Sequence, residues 1–112
     1  MLQIPLVTID RNAFLIYGVT MDRNTIMHEN IKEIANILAS ASSKDSYDFL
    51  EEILTPAEIS TLSKRWRILK MLNEGFSQRE IAKELQVSLC KVTRGAKILK
   101  DTNSICSKMI KK

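Results

Sequence analysis

Residues 78–99 read QREIAKELQVSLCKVTRGAKIL, a pattern that predicts a helix, a tight turn and a second helix. Ser77 precedes the stretch and Glu80 stands three residues on. A serine hydroxyl and a glutamate so spaced can satisfy the free backbone N–H groups of a helix start reciprocally. Ile81 and Leu85 fall on one face of that first helix, four residues apart. Gln86 and Val87 make the turn, and Ser88 caps a second helix carrying Leu89, Val92, Ala96 and Leu99. Small Ala82 sits where the two helices must come closest, and Ile81, Leu85, Val87 and Val92 supply the contacts inside the pair. Gln86 stands where such turns often carry glycine; a non-glycine residue held at positive φ costs about 1 kcal/mol.

Working upstream, Thr55-Pro56-Ala57-Glu58 opens a helix over 55–74 by the same capping logic, with proline at the first helical position, where its missing N–H costs nothing. Ile59, Leu62, Trp66 and Leu69 form a stripe expected to face inward, with Trp66 read as core. Gly75 supplies a left-handed stop. Residues 25–39 place Met27, Ile31, Ile34 and Leu38 on one helical face. After a polar break at 40–44, Tyr47, Leu50 and Ile53 mark a second short amphipathic helix over 45–53. Downstream, 103–111 form a last helix with Ile105, Met109 and Ile110 on one side. The beginning reads as extended in LQIPLVTI (2–9) and FLIYGVTM (14–21), which pair as short strands or form a tail ahead of Met21. The expected organisation is an N-terminal extension, 1–22, and one helical domain, 23–112, with a helix-turn-helix at 77–100.

Composition agrees with an all-α fold. The 112 residues hold 5% aromatics, three glycines and two prolines, too few turn-formers for a sandwich or barrel. No apolar run reaches the about 18 residues of a membrane span. The start lacks the basic segment of a secretory signal. Cys90 and Cys106 are far apart with no CxxC pattern, which fits a reduced, cytoplasmic setting rather than a disulfide or zinc scaffold. His28, the one histidine, has only Glu29 beside it, so no metal site is expected. No nucleophile–base pair is legible. The expectation is a protein with no catalytic residues and no cofactor.

Charge is the informative quantity. The net +4 conceals four basic and nine acidic side chains over 1–63, net −5, against ten basic and three acidic over 64–100, net +7. A basic block of this density on a helix-turn-helix is the footprint of a polyanion, and double-stranded DNA suits it. The second helix of such a motif enters the major groove with its first residues at base edges. The candidate DNA contacts are Gln78 and Arg79 on the first helix, and Ser88, Leu89, Cys90, Lys91, Thr93 and Arg94 on the second. A helical interaction protein that touches no DNA is the competing reading. Gly95, inside the second helix, costs roughly 1 kcal/mol relative to alanine, which points to close approach by a neighbouring helix or a ligand.

LTPAE (54–58), KRWRIL (64–69), SQREIAKEL (77–85) and KVTRGAKILK (91–100), in this order and spacing, resemble the bacterial tryptophan repressor family. The resemblance covers about 45–102, with a looser fit over 25–44. It implies an intertwined all-α homodimer whose two heads read successive major grooves of a palindromic operator. It also implies L-tryptophan as corepressor and repression of tryptophan-related genes. Carried over by position, Arg65 and Arg94 sandwich the indole and Arg94 pairs with the carboxylate. Gly95 leaves room for the ring, and Thr55 lies where backbone carbonyls receive the ammonium group. The sequence departs from the family at Ile98, where a serine lies near the ammonium group, at Lys91, a threonine in the family, and at Glu52, a leucine. A helix-turn-helix regulator of the same superfamily that does not respond to tryptophan is the alternative these departures raise.

Overall fold

A computed structural model describes residues 13–16 and 19–111. Its elements in chain order are β1 (Ala13–Ile16), β2 (Val19–Asp22), α1 (Arg23–Ser40), α2 (Ser43–Ile53), α3 (Pro56–Asn73), α4 (Gln78–Leu85), α5 (Leu89–Lys100) and α6 (Ile105–Ile110). The chain divides into two compact units, Met1–Phe49 and Leu50–Lys112, with the division inside α2. The expected all-α character holds for everything from Arg23 onward.

In the first unit β1 and β2 pair antiparallel, from Ala13 opposite Asp22 to Ile16 opposite Val19. The strands overlap the segment read as extended, 14–21, and reach one residue beyond it at each end, at Ala13 and Asp22. The other segment so read, 2–9, lies outside the described residues. β2 runs into α1, where Asp22 is the N-cap and its carboxylate accepts the Thr25 N–H at 2.7 Å. That bond holds the Asp22 carboxyl below its usual range. No residue of α1 is buried; Met27 and Ile31 on its apolar face are 62% and 63% exposed.

The second unit has a core of Ile68, Met71, Ile81 and Val92, with Leu72, Ala82, Leu85 and Val87 packed on it. These are the contacts expected inside the two-helix pair, joined by the C-terminal half of α3. The capping box of α3 is complete: Glu58 N–H donates to Thr55 Oγ1 at 3.2 Å and Thr55 N–H to Glu58 Oε1 at 2.9 Å. At the other end Phe76 N–H donates to the Met71 carbonyl and Gly75 N–H to Leu72, both at 3.1 Å, around Gly75 at φ +99°. This is a Schellman closure, and the positive φ is why glycine ends the helix.

Helix α4 begins with a second capping box, Ser77 with Glu80. It ends with the hydrogen-bond pattern seen after α3, Val87 N–H donating to Ala82 at 3.1 Å, but here the left-handed residue is Gln86 at φ 53°. Ser88 caps α5 through the Lys91 N–H at 3.3 Å. At the far end of α5, the Ser104 hydroxyl donates to the Ile98 carbonyl at 2.8 Å and the Ser107 hydroxyl to Leu99 at 3.3 Å. Those serines, the N-cap and third residue of α6, satisfy last-turn carbonyls that would otherwise lack partners.

The stripe on α3 differs from expectation. Its buried residues are Ile68, Leu69 and Met71, while Leu62 and Trp66 are 48% and 47% exposed. Helices α4 and α5 pack on the last two turns of α3, so its N-terminal half is left open. Trp66 is therefore not a core residue of this chain.

Candidate functional site

The α3–α5 crossing sets the geometry of the site. A Cβ added to Gly95 would meet Ile68 Cγ2 at 2.8 Å, closer than real Cβ atoms come to their neighbours. The helix-weakening glycine lets α5 lie against Ile68 of α3. The residue it directly accommodates within the chain is Ile68.

Beside this crossing a cavity of about 300 Å³ opens between α3, α5 and α6. Arg65 from α3 and Arg94 from α5 line it, together with Gly95. Three residues given separate roles in one site thus meet at one cavity, because Gly95 brings their helices together. Thr55 does not line it. Ten residues before Arg65 along α3 is about 15 Å at the helical rise, and Thr55 occupies the N-cap with its hydroxyl accepting the Glu58 N–H.

The cavity has features that residue spacing did not single out. Leu62 and Trp66 form an apolar wall from α3, and Cys106 contributes from α6. For Trp66 a signal existed, since it neighbours Arg65 and follows Leu62 by one turn. For Cys106 there was none, because its approach depends on how α6 folds back on α5. Lys91 and Ile98, the two positions where the family resemblance breaks on α5, both line the cavity. Three cations therefore surround a mostly apolar space, and among the described residues that line it none carries a carboxylate.

The candidates for DNA contact lie on α4, on α5 and at the cap between them, and two of them, Lys91 and Arg94, also line the cavity. Arg79, Ser88, Leu89, Cys90, Lys91, Thr93 and Arg94 are exposed, and Gln78 is half-buried. Gln78 and Thr93 are joined: the Thr93 hydroxyl lies 2.8 Å from Gln78 Oε1 and 3.0 Å from the Leu89 carbonyl, two acceptors for one proton. That link ties the start of α4 to the first turn of α5. Among the described residues, no cluster of three His, Cys, Asp or Glu groups could hold a metal ion, and no helix is long and apolar enough to cross a membrane.

The architecture defines an all-α protein in which a two-helix turn unit is seated on a long core helix beside a cationic cavity. Residues 29–112 match the family described as Trp repressor protein, and the chain belongs to that family. It is similar to proteins named Trp operon repressor homolog from Xylella fastidiosa strains M23, Temecula1 and 9a5c. Each is 44% identical over 72 residues, which span 62% of this chain and 78% of the relative. The chain is accordingly a transcription regulator of the Trp-operon-repressor kind, and not an enzyme.

Proposed function

We propose that the chain is a sequence-specific DNA-binding repressor that acts in the cytoplasm as an intertwined homodimer, with L-tryptophan as corepressor, controlling tryptophan-related genes. The observation that carries the reading is the contiguity of two surfaces on α5. Its first turns hold the exposed Lys91, Thr93 and Arg94, and the same helix walls the cavity through Arg94 and Gly95. A ligand wedged between Arg65 and Arg94 would fix α5 relative to α3, and with it the angle at which the helix-turn-helix head meets a groove. Guanidinium planes suit the faces of an aromatic ring. Such a ligand promotes DNA binding only as far as it prefers the DNA-competent arrangement.

Exposed apolar side chains support the dimer. Met27 and Ile31 of α1, Leu62 and Trp66 of α3, and Ile105 and Met109 of α6 are each between 47% and 67% exposed. Covering a large apolar side chain contributes about 1.5–3 kcal/mol. A second copy wrapping these stripes would build a core that one chain cannot. The repressor domain in this reading is 23–112, with 1–22 an extension to it. Two-fold symmetry then sets half-sites about 34–36 Å apart, or a multiple of that.

The test is selection of bound duplexes from a random DNA pool, followed by affinity measurement with and without L-tryptophan. A palindromic consensus, tighter binding with tryptophan and a steep loss of affinity with salt are expected. Failure to enrich any sequence at low salt would leave only a helical interaction protein. A second reading, a repressor answering to another small molecule, is favoured by Lys91 and Ile98 in the cavity.

A further inference from the structure

We propose that a second, smaller cavity, where α3 meets the turn between α4 and α5, binds a terminal phosphate group, as inorganic phosphate or as the phosphate of a monoester. This site requires neither tryptophan nor an operator.

The cavity is about 110 Å³. A water's share of liquid volume is about 30 Å³, so there is room for a few waters or for one tetrahedral oxyanion. Ser60, Lys64 and Arg65 line it from α3, Gln86 from the turn and Lys91 from the first turn of α5. No acidic residue lines it, and among the described residues Lys64, Arg65 and Lys91 have no ion-pair partner. Like charges gathered in this way repel, and a bound anion turns that cost into attraction. Neutral donors stand beside the cations. The side chains of Ser60 and Gln86 have no hydrogen-bond partner among the described residues, so hydroxyl and amide are both free to donate. Thr61 also lines the space, but its hydroxyl donates to the Ala57 carbonyl at 3.0 Å.

Gln86 is an independent sign that the place has a use. It is the one non-glycine residue at positive φ among the described residues. Glycine would hold φ 53° without steric cost, and backbone strain of this kind gathers at functional sites. What glutamine supplies in exchange is an amide in the cavity.

Charge favours a terminal phosphate over the linkage of a nucleic-acid backbone. A phosphate monoester carries about −1.5 to −2 near neutral pH. A backbone phosphate carries a single charge and has carbon substituents on two of its oxygens. Arginine forks two phosphate oxygens and lysine adds a point charge. A phosphate held by α3, the turn and α5 together would clamp the two-helix head to the core helix.

The test is amide NMR of the full chain titrated with inorganic phosphate, ribose 5-phosphate and dimethyl phosphate, at ionic strength held constant with chloride. Phosphate or ribose 5-phosphate is expected to shift the Gln86 side-chain amide saturably; the tighter of the two names the source. Dimethyl phosphate should bind at least roughly ten-fold more weakly. Lys64 lines neither the larger cavity nor the candidate DNA face. Lys64→Gln should weaken phosphate roughly ten-fold, the worth of one hydrogen bond to a charged group. Gln86→Gly should raise the unfolding midpoint and yet weaken phosphate binding, whereas a purely structural turn residue would give the first effect without the second. Shifts that do not saturate, unchanged phosphate affinity in Lys64→Gln, or dimethyl phosphate binding as tightly as phosphate would each overturn the site. The last outcome would make it a contact for the DNA backbone instead.

Discussion

Gly95 and Ile68 stand in steric register across the α3–α5 crossing: a methyl group on Gly95 would lie 2.8 Å from Ile68 Cγ2. Ile68 is 2% exposed and β-branched, so its methyl has little room to give. Gly95→Ala should therefore destabilise the fold by about 1 kcal/mol, overpacking of 1–3 outweighing the roughly 1 gained in helix propensity. Ile68→Leu removes the offending Cγ2 at similar volume. In that background Gly95→Ala should be neutral or stabilising. A double-mutant cycle by thermal unfolding reads the coupling, and additive effects would refute it.

The two left-handed positions should respond in opposite directions. Gln86 holds φ 53° without being glycine. Gln86→Gly should stabilise by about 1 kcal/mol, the cost of left-handed backbone for a residue with a Cβ. Gly75→Ala should destabilise by about 1 kcal/mol, although a Cβ there meets nothing within 4 Å. Chemical denaturation of both variants checks the signs.

Acid should loosen the helix starts. The Glu58 carboxyl sits below its usual range because it accepts the Thr55 N–H, and Asp22 does so through Thr25. A depressed folded-state value means each cap contributes in full above the ordinary carboxylate pKa of about 4. That contribution is lost as pH falls through the lower, folded value. Glu58→Gln keeps an acceptor but does not titrate. Its stability should fall less steeply than that of the unaltered chain between neutral pH and the acid limb, measured by circular dichroism at graded pH.

Arg79 and Arg94 should separate reading from gating. Arg79 is exposed on α4 and does not line the cavity; Arg94 lines it. Arg79→Ala should weaken operator binding, with the salt slope falling by about 1 if it meets a phosphate, and leave effector heat unchanged. Arg94→Ala should abolish the heat as well. Anisotropy and calorimetry on the two variants check this; matching defects in both would show the surfaces are not separable.

Ile31 tests the wrapped dimer. It is 63% exposed in the single chain, where a charge would cost little. Ile31→Asp should lower the apparent mass to that of one chain in light scattering, with loss of cooperative unfolding. An unchanged assembly would exclude this face of α1 from the interface.

The helix starts and stops were legible because they are local events. Thr55 with Glu58, Ser77 with Glu80, Ser88 and Gly75 act over three residues or fewer, and all stand where the pattern put them. The contacts of Ile81, Leu85, Val87 and Val92 followed from helical spacing around a short turn. The hairpin did not, since strand register is fixed by partners and short apolar runs leave it open. Trp66 lies on an apolar face by periodicity, but periodicity does not say which surface, in this chain or another, covers it, and here it is 47% exposed. Asp22 and Ser104 cap α1 and α6 from the residue just before each helix, a local signal of the same kind.

Residue order alone thus determined the helical character from Arg23 onward, the head over 77–100 and the concentration of positive charge on it, while the roles of Arg65, Arg94 and Gly95 came from the family resemblance. The first three depend on short-range hydrogen bonding, helical period and composition, which need no partner segment. Tertiary structure decided that Arg65, Lys91 and Arg94 share one cavity, that Cys106 joins them, and that Gly95 makes way for Ile68. Those facts depend on how closely α5 approaches α3, a distance set by packed side chains far apart in the chain.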